Sequence, residues 1–135
     1  MKYLHTMIRV RDLDATLRFF CDGLGLREVR RKESAEGKFT LVFLSADETP
    51  DAEIELTYNW GTESYDMGNA YGHIALGVPD AYAACEKIKA AGGNVTREAG
   101  PVKGGSTVIA FVTDPDGYKI ELIQRAEQAS GAGLR

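Results

Sequence analysis

The chain has 135 residues, of which 44% are hydrophobic and 27% are charged, values that are typical of one globular domain. The formal net charge is −4, which argues against a nucleic-acid partner because phosphate binding needs clustered Lys and Arg. No apolar run reaches the ~18 residues of a membrane span, and the start lacks the apolar core of a signal peptide, so we expect a cytoplasmic protein with no membrane partner.

The first half of the chain shows the pattern of one strand, one helix and three further strands. Apolar and polar residues alternate in LHTMIRV (4–10), which predicts a strand. Asp12 suits the N-cap of a helix over Leu13–Cys21, and Gly23 and Gly25 suit its end. The three strand-like segments that follow are 26–31, 39–44 and 54–58. This half is therefore predicted to form a βαβββ module.

The second half repeats this order. A strand at 72–78 precedes Asp80 as an N-cap and a helix over 81–91. The strand-like segments that follow are 95–99, 107–112 and 119–124. The sequence thus predicts an α+β fold of two tandem βαβββ modules in a single domain, 1–135. Their predicted bounds are about 2–59 for module 1, 60–70 for the linker, 71–125 for module 2 and 126–135 for a flexible tail.

Four potential metal ligands occupy equivalent places in the repeat. His5 and His73, the only histidines, lie 68 residues apart in the first strand of each module. Glu55 and Glu121 lie 66 residues apart in the last strands, and the two-residue slip is assigned to a longer polar loop at 45–52. Alone, each would be read as an ordinary polar strand residue. Two imidazoles and two carboxylates together suit nickel, cobalt, iron, manganese or zinc, with positions left for water as in catalytic sites.

Five segments of the chain resemble those of a known family. The chain resembles glyoxalase I, of the vicinal oxygen chelate superfamily, in LHTMIRV, IELTYNWG, AYGHIAL, GGNVTREAGPVKGG and DPDGYKIELI. The resemblance implies a lactoylglutathione lyase that converts the hemithioacetal of methylglyoxal and glutathione into S-lactoylglutathione through an enediolate. It also implies that His5, Glu55, His73 and Glu121 bind a divalent metal, with Glu121 as the catalytic base and Glu55 on the other face of the substrate.

The resemblance further implies an assembly and a metal. The family forms homodimers with sites between chains, so His5 and Glu55 of one copy would face His73 and Glu121 of another. The short chain is similar to the bacterial subclass that uses Ni²⁺ or Co²⁺ rather than Zn²⁺. A metal-dependent thiol transferase or dioxygenase of the same superfamily is the alternative, followed by a non-catalytic small-molecule binding protein; Glu55 argues against extradiol dioxygenases, which lack that ligand.

Substrate contacts are also implied. Arg9 shares a strand face with His5 because both have odd numbers, and its guanidinium could pair with a glutathione carboxylate. The other implied contacts are Asn59, His73, Ala99, Gly100 and Lys103. The alternatives are a solvated strand residue for Arg9, a turn former for Asn59 and a plain hairpin loop for 99–105. An arginine found in some family members four residues before the second His is replaced here by Asn69.

Overall fold

Two similar groups of strands and helices make up residues 1–126, which are the residues that the computed structural model describes. In module 1 the elements are β1 (His5–Val10), α1 (Leu13–Leu17), a π-helical segment (Arg18–Gly23), β2 (Arg27–Ser34), β3 (Phe39–Ala46) and β4 (Thr49–Asn59). In module 2 they are β5 (Ile74–Val78), α2 (Ala81–Ala90), β6 (Asn94–Pro101), β7 (Val108–Thr113) and β8 (Lys119–Gln124). Most of the predicted tail, 126–135, lies outside the described residues.

Each module forms its own four-stranded sheet. The strand orders are β1-β4-β3-β2 and β5-β8-β7-β6. The first strand of each module pairs in parallel with the last, whereas the remaining pairs are antiparallel. A parallel pair needs a crossover connection, and the helix supplies part of it in each module. The predicted fold of two tandem βαβββ modules is confirmed.

The predicted helix starts are also confirmed, but the first helix differs from the expectation. The side chains of Asp12 and Asp80 each accept a hydrogen bond at 3.0 Å from the N–H three residues later. The first helix is α-helical only to Leu17 and then widens into a π-helix. Its wider turns accompany complete burial of Phe19 and Phe20, whose rings pack edge to face with centroids 4.8 Å apart.

The connection between β3 and β4 is more ordered than predicted. The segment 45–52, predicted to be a polar loop, is largely a strand hairpin in which Ala46 pairs with Thr49. The pairing then shifts, and Ser45 lies opposite Glu53. In module 2, Thr113 pairs with Lys119, so five residues separate these partners where seven separate Ser45 from Glu53. The difference in length between these two connections accounts for the two-residue slip between the glutamates.

The core connects the two modules. Phe19 of module 1 packs so closely on module 2 that a Cβ on Gly93 would lie 2.7 Å from its ring and 2.6 Å from Ile88. A second connection is made by the Tyr118 hydroxyl, which accepts from Arg9 N at 3.2 Å and donates to Arg9 O at 2.8 Å. No helix within residues 1–126 has the length and apolar character that a bilayer crossing requires.

Candidate metal centre and substrate face

His5 and Glu55 form a close pair on one face of the first sheet. His5 lies on β1 and Glu55 on the adjacent β4, where the register places Glu55 opposite Met7. His5 Nε2 is 2.9 Å from Glu55 Oε1. The His5 side chain is 38% exposed and the Glu55 side chain 13%. The two donor atoms therefore meet at a point that solvent or a second molecule can reach.

His73 and Glu121 repeat this arrangement in module 2. His73 directly precedes β5, and Glu121 lies on the adjacent β8. His73 Nε2 is 3.1 Å from Glu121 Oε1, and the side chains are 43% and 17% exposed. The predicted equivalence of the two His–Glu pairs is thus visible in distance and exposure as well as in sequence position.

A phenylalanine stands beside each histidine. The Phe43 ring meets His5 edge-on, with centroids 6.0 Å apart, and Phe111 meets His73 in the same way at 5.5 Å. Phe43 pairs across the sheet with Glu55, and Phe111 pairs with Glu121. Phe43 and Phe111 lie 68 residues apart, as the two histidines do, and this shared offset is the sequence signal that could have identified them as site residues.

The four ligands do not come together within one copy of the chain. No group of three or more His, Cys, Asp or Glu side chains within residues 1–126 is arranged to hold a metal ion. Each His–Glu pair does bring one nitrogen and one oxygen to a common point, which fits two adjacent positions of a divalent ion. The donor set therefore fits the implied metal, with each module supplying half of it.

A second carboxylate near His5 is already paired. Glu53 lies opposite His5 in the β1–β4 register, but both of its oxygens accept from Arg30, at 2.7 and 2.8 Å. The Arg30 guanidinium holds the pKa of Glu53 below its usual range and lies 3.9 Å from the centroid of the Phe43 ring. Glu55 is consequently the carboxylate available to His5.

The predicted substrate contacts fall into two groups. Arg9 and Asn59 lie on β1 and β4, in the sheet that carries His5 and Glu55. The Asn59 amide donates to the Tyr65 hydroxyl at 3.1 Å, so the linker contacts this residue. The second group belongs to module 2: Ala99 and Gly100 are part of β6, and Lys103 follows in the exposed connection to β7. Each group accompanies one His–Glu pair.

Comparison with known proteins agrees with this architecture. Residues 2–122 match the Glyoxalase/Bleomycin resistance protein/Dioxygenase superfamily. The chain is 61% identical to the lactoylglutathione lyase of Haemophilus influenzae over 134 residues, which cover 98% of this chain and 99% of that protein. The chain belongs to the lactoylglutathione lyase family. The resemblance noted from its motifs is thereby confirmed.

The chain has the fold of solved glyoxalase I structures. Glyoxalase I from Zea mays superimposes with a TM-score of 0.87 at 47% identity, over 94% of this chain and 46% of the maize chain. This chain therefore spans about half the length of that one. The trypanothione-dependent glyoxalase I of Leishmania major gives a TM-score of 0.78 at 42% identity, over 92% of this chain and 86% of that chain.

Proposed function

We propose that the chain isomerises the hemithioacetal of methylglyoxal and glutathione to S-lactoylglutathione, at sites that each combine the two kinds of His–Glu pair. The observation that carries this proposal is the presence of two equivalent pairs, His5–Glu55 and His73–Glu121, on accessible sheet surfaces. The identity of 61% to a protein named lactoylglutathione lyase supports the reaction. Glu55, paired with His5, distinguishes this set from the two-His-one-carboxylate set of dioxygenases.

The metal has a defined role in this proposal. A divalent ion held by His5, Glu55, His73 and Glu121 would supply Lewis-acid stabilisation for negative charge on two neighbouring substrate oxygens. Nickel or cobalt is our assignment ahead of zinc, based on the resemblance to the shorter bacterial enzymes. Activity of the metal-free protein with each ion in turn tests this choice, and stronger activation by zinc would contradict it.

Proton transfer is the chemical task of the glutamates. In the proposed reaction Glu121 removes the proton from the carbon that bears sulfur and returns it to the adjacent carbonyl carbon. The hydroxyl proton on the first carbon's oxygen passes to the carbonyl oxygen of the second carbon. The first carbon thereby becomes the thioester carbonyl and the second the alcohol carbon, so no proton or electron is lost overall. A carboxylate in this position is a suitable general base. Glu55 would serve the opposite face of the substrate.

Glutathione recognition would use residues from both modules. Arg9 offers a guanidinium that can bind a peptide carboxylate with two hydrogen bonds. Asn59 can donate and accept through its amide, while Ala99 and Gly100 would contribute backbone groups and Lys103 a positive charge. His73 would lie next to the reacting end. Because thiols are kept reduced in the cytosol, we also propose a cytoplasmic location.

A homodimer completes the proposal. Within residues 1–126 each pair lacks the third and fourth ligands, and a second copy can supply them if module 1 of one chain faces module 2 of the other. The maize chain, of which this chain covers 46%, is long enough to contain two copies of this fold. Two equivalent sites per dimer would result.

Mixed dimers test the shared sites directly. A chain carrying His5→Gln and a chain carrying His73→Gln are co-expressed with different tags, and the heterodimer is purified through both tags. One of its sites would contain both substitutions and the other neither, so we expect about half of the wild-type turnover. Both homodimers should be inactive.

The outcomes separate the two parts of the proposal. An inactive heterodimer of normal size would refute sites shared between chains, because each chain would then carry a defect in its own site. A wild-type protein without turnover of the hemithioacetal would refute the lyase activity itself. Comparing the glutathione and trypanothione hemithioacetals by kcat/KM tests the thiol, since the L. major relative is trypanothione-dependent.

A further inference from the structure

Strand β6, at one edge of the module 2 sheet, pairs irregularly with β7 around Arg97. Arg97 lies opposite Phe111 in the β6–β7 register, and the register shifts both before it, towards Val95, and after it, towards Gly100. Register breaks of this kind remove backbone groups from the regular ladder. Those groups still need hydrogen-bond partners. The strand in question contains Ala99 and Gly100, which the proposed function places at the substrate.

The guanidinium of Arg97 binds four backbone carbonyl groups of β6 and β7 next to this irregular pairing. Its Nη1 donates to Gly100 O at 2.8 Å, to Ile109 O at 2.9 Å and to Glu98 O at 3.2 Å. Its Nη2 donates to Pro101 O at 3.0 Å. One side chain therefore binds carbonyl groups on both strands of the hairpin. Bonds from a charged donor are stronger than those between neutral groups.

The equivalent arginine of module 1 is used differently. Arg30 lies opposite Phe43 as Arg97 lies opposite Phe111, but Arg30 binds the carboxylate of Glu53. Glu53 is opposite Ser45, and the matching position in module 2, opposite Thr113, is Lys119.

A lysine cannot accept a hydrogen bond. The arginine of module 2 has no carboxylate at this position and binds the backbone instead. Arg97 and its four carbonyl partners, called the clamp below, are therefore a feature of module 2 that Arg30 does not reproduce in module 1.

We propose that Arg97 is a positioning residue that holds the segment 98–101, and the following connection with Lys103, in the conformation that binds the glutathione part of the substrate. This inference rests on the proposed function. Arg97 acts through the backbone that it binds and has no part in proton transfer. Two hydrogen bonds within the connection, Val102 N to Thr107 O at 2.8 Å and Gly105 N to Val102 O at 3.1 Å, continue the ordered segment.

The test compares Arg97→Met and Arg97→Lys with the control Arg31→Met in the complete protein. Arg31 forms an ion pair with Glu28 on its own strand, at 2.8 and 2.9 Å, and lies outside the proposed machinery. We expect Arg97→Met to raise KM about tenfold, which equals ~1.4 kcal/mol, and to change kcat less than about threefold, because the clamp affects binding rather than chemistry.

Hydrogen exchange measures the clamp without turnover. In the unliganded protein the amides of Val102 and Gly105 should exchange about tenfold faster in Arg97→Met than in the wild type, since local opening becomes easier. Arg97→Lys should lie between the two because lysine keeps the charge but lacks the planar fork. If Arg97→Met does not fold, Arg97→Lys gives the same comparison with smaller changes.

Either of two results would overturn the inference: unchanged exchange at Val102 and Gly105 in both variants, or an unchanged KM. If kcat fell while KM stayed unchanged, Arg97 would belong to the chemical step. If the wild-type protein lacked lyase activity, the proposed function would fail, whereas the exchange comparison would still decide whether Arg97 orders this segment.

Discussion

Asp114 offers a sharp test of how burial affects this fold. It begins the turn between β7 and β8 and is 4% exposed. Its Oδ1 accepts from the N–H groups of Asp116 and Tyr118, at 3.0 and 2.8 Å, but its Oδ2 has no hydrogen-bond partner within residues 1–126. Burial raises the pKa of Asp114 from 3.8 to about 6. At neutral pH the folded protein therefore holds a poorly solvated charge.

The raised pKa of Asp114 makes the free energy of unfolding depend on pH. An acid with a raised pKa in the folded state favours folding below its unfolded pKa, and this contribution is lost as the pH rises through the folded pKa. A difference of about two pKa units corresponds to about 3 kcal/mol in full. Asp114→Asn keeps an oxygen acceptor and removes the charge, so the variant should gain about 2 kcal/mol relative to the wild type between pH 4 and pH 8.

Urea unfolding at several pH values, at one fixed protein concentration, measures this gain. The fixed concentration matters because association adds to apparent stability. Asp51→Asn is the matched control, because it makes the same change in a side chain that is 82% exposed. If the stability difference between Asp114→Asn and the wild type varied with pH no more than that of the control, burial would not control the titration of Asp114 and the reasoning would be wrong.

Two further predictions concern the reaction and the core. Glu121→Gln should lower kcat by roughly a thousandfold, as expected for loss of a general base, with substrate affinity nearly unchanged. Steady-state kinetics measures both quantities, and a kcat within about tenfold of the wild type would exclude Glu121 as the base. Gly93→Ala should lower the free energy of unfolding by about 2 kcal/mol through overpacking, because the new Cβ would lie 2.6 Å from Ile88. Gly100→Ala, with its nearest neighbour at 3.8 Å, is the control in urea unfolding, and equal losses would contradict the packing argument.

The repeat made most of the fold predictable. Asp12 and Asp80 marked both helix starts because a carboxylate at an N-cap satisfies backbone N–H groups that the helix leaves free. The repeat placed the two histidines and the two glutamates at equivalent positions, and the structure brings each His and Glu side by side because the first and last strands of a module pair in parallel. Alternation along a strand decides which residues share a face.

Other features depend on packing that the pattern does not encode. The first four residues of β4, 49–52, are all exposed, so they lack the apolar alternation by which a strand is recognised. The π-helical turn depends on how Phe19 and Phe20 pack in the core. Arg97 was missed because its partners are backbone carbonyls of two strands, and the position of one strand relative to the other is not visible in the sequence of either. In the proposed dimer the complete ligand set needs a second copy, which a single chain does not display.

The hydrogen bonds of the Tyr118 hydroxyl make the two modules depend on each other. β1 lies at the edge of its sheet, and exposed edges of this kind invite pairing with other chains. By bonding to both backbone groups of Arg9, Tyr118 of the second half covers part of this edge. A fragment cut at the linker would expose this sheet edge in one piece and the Tyr118 side chain in the other. Although the sequence reads as a duplication, neither half is a self-sufficient unit.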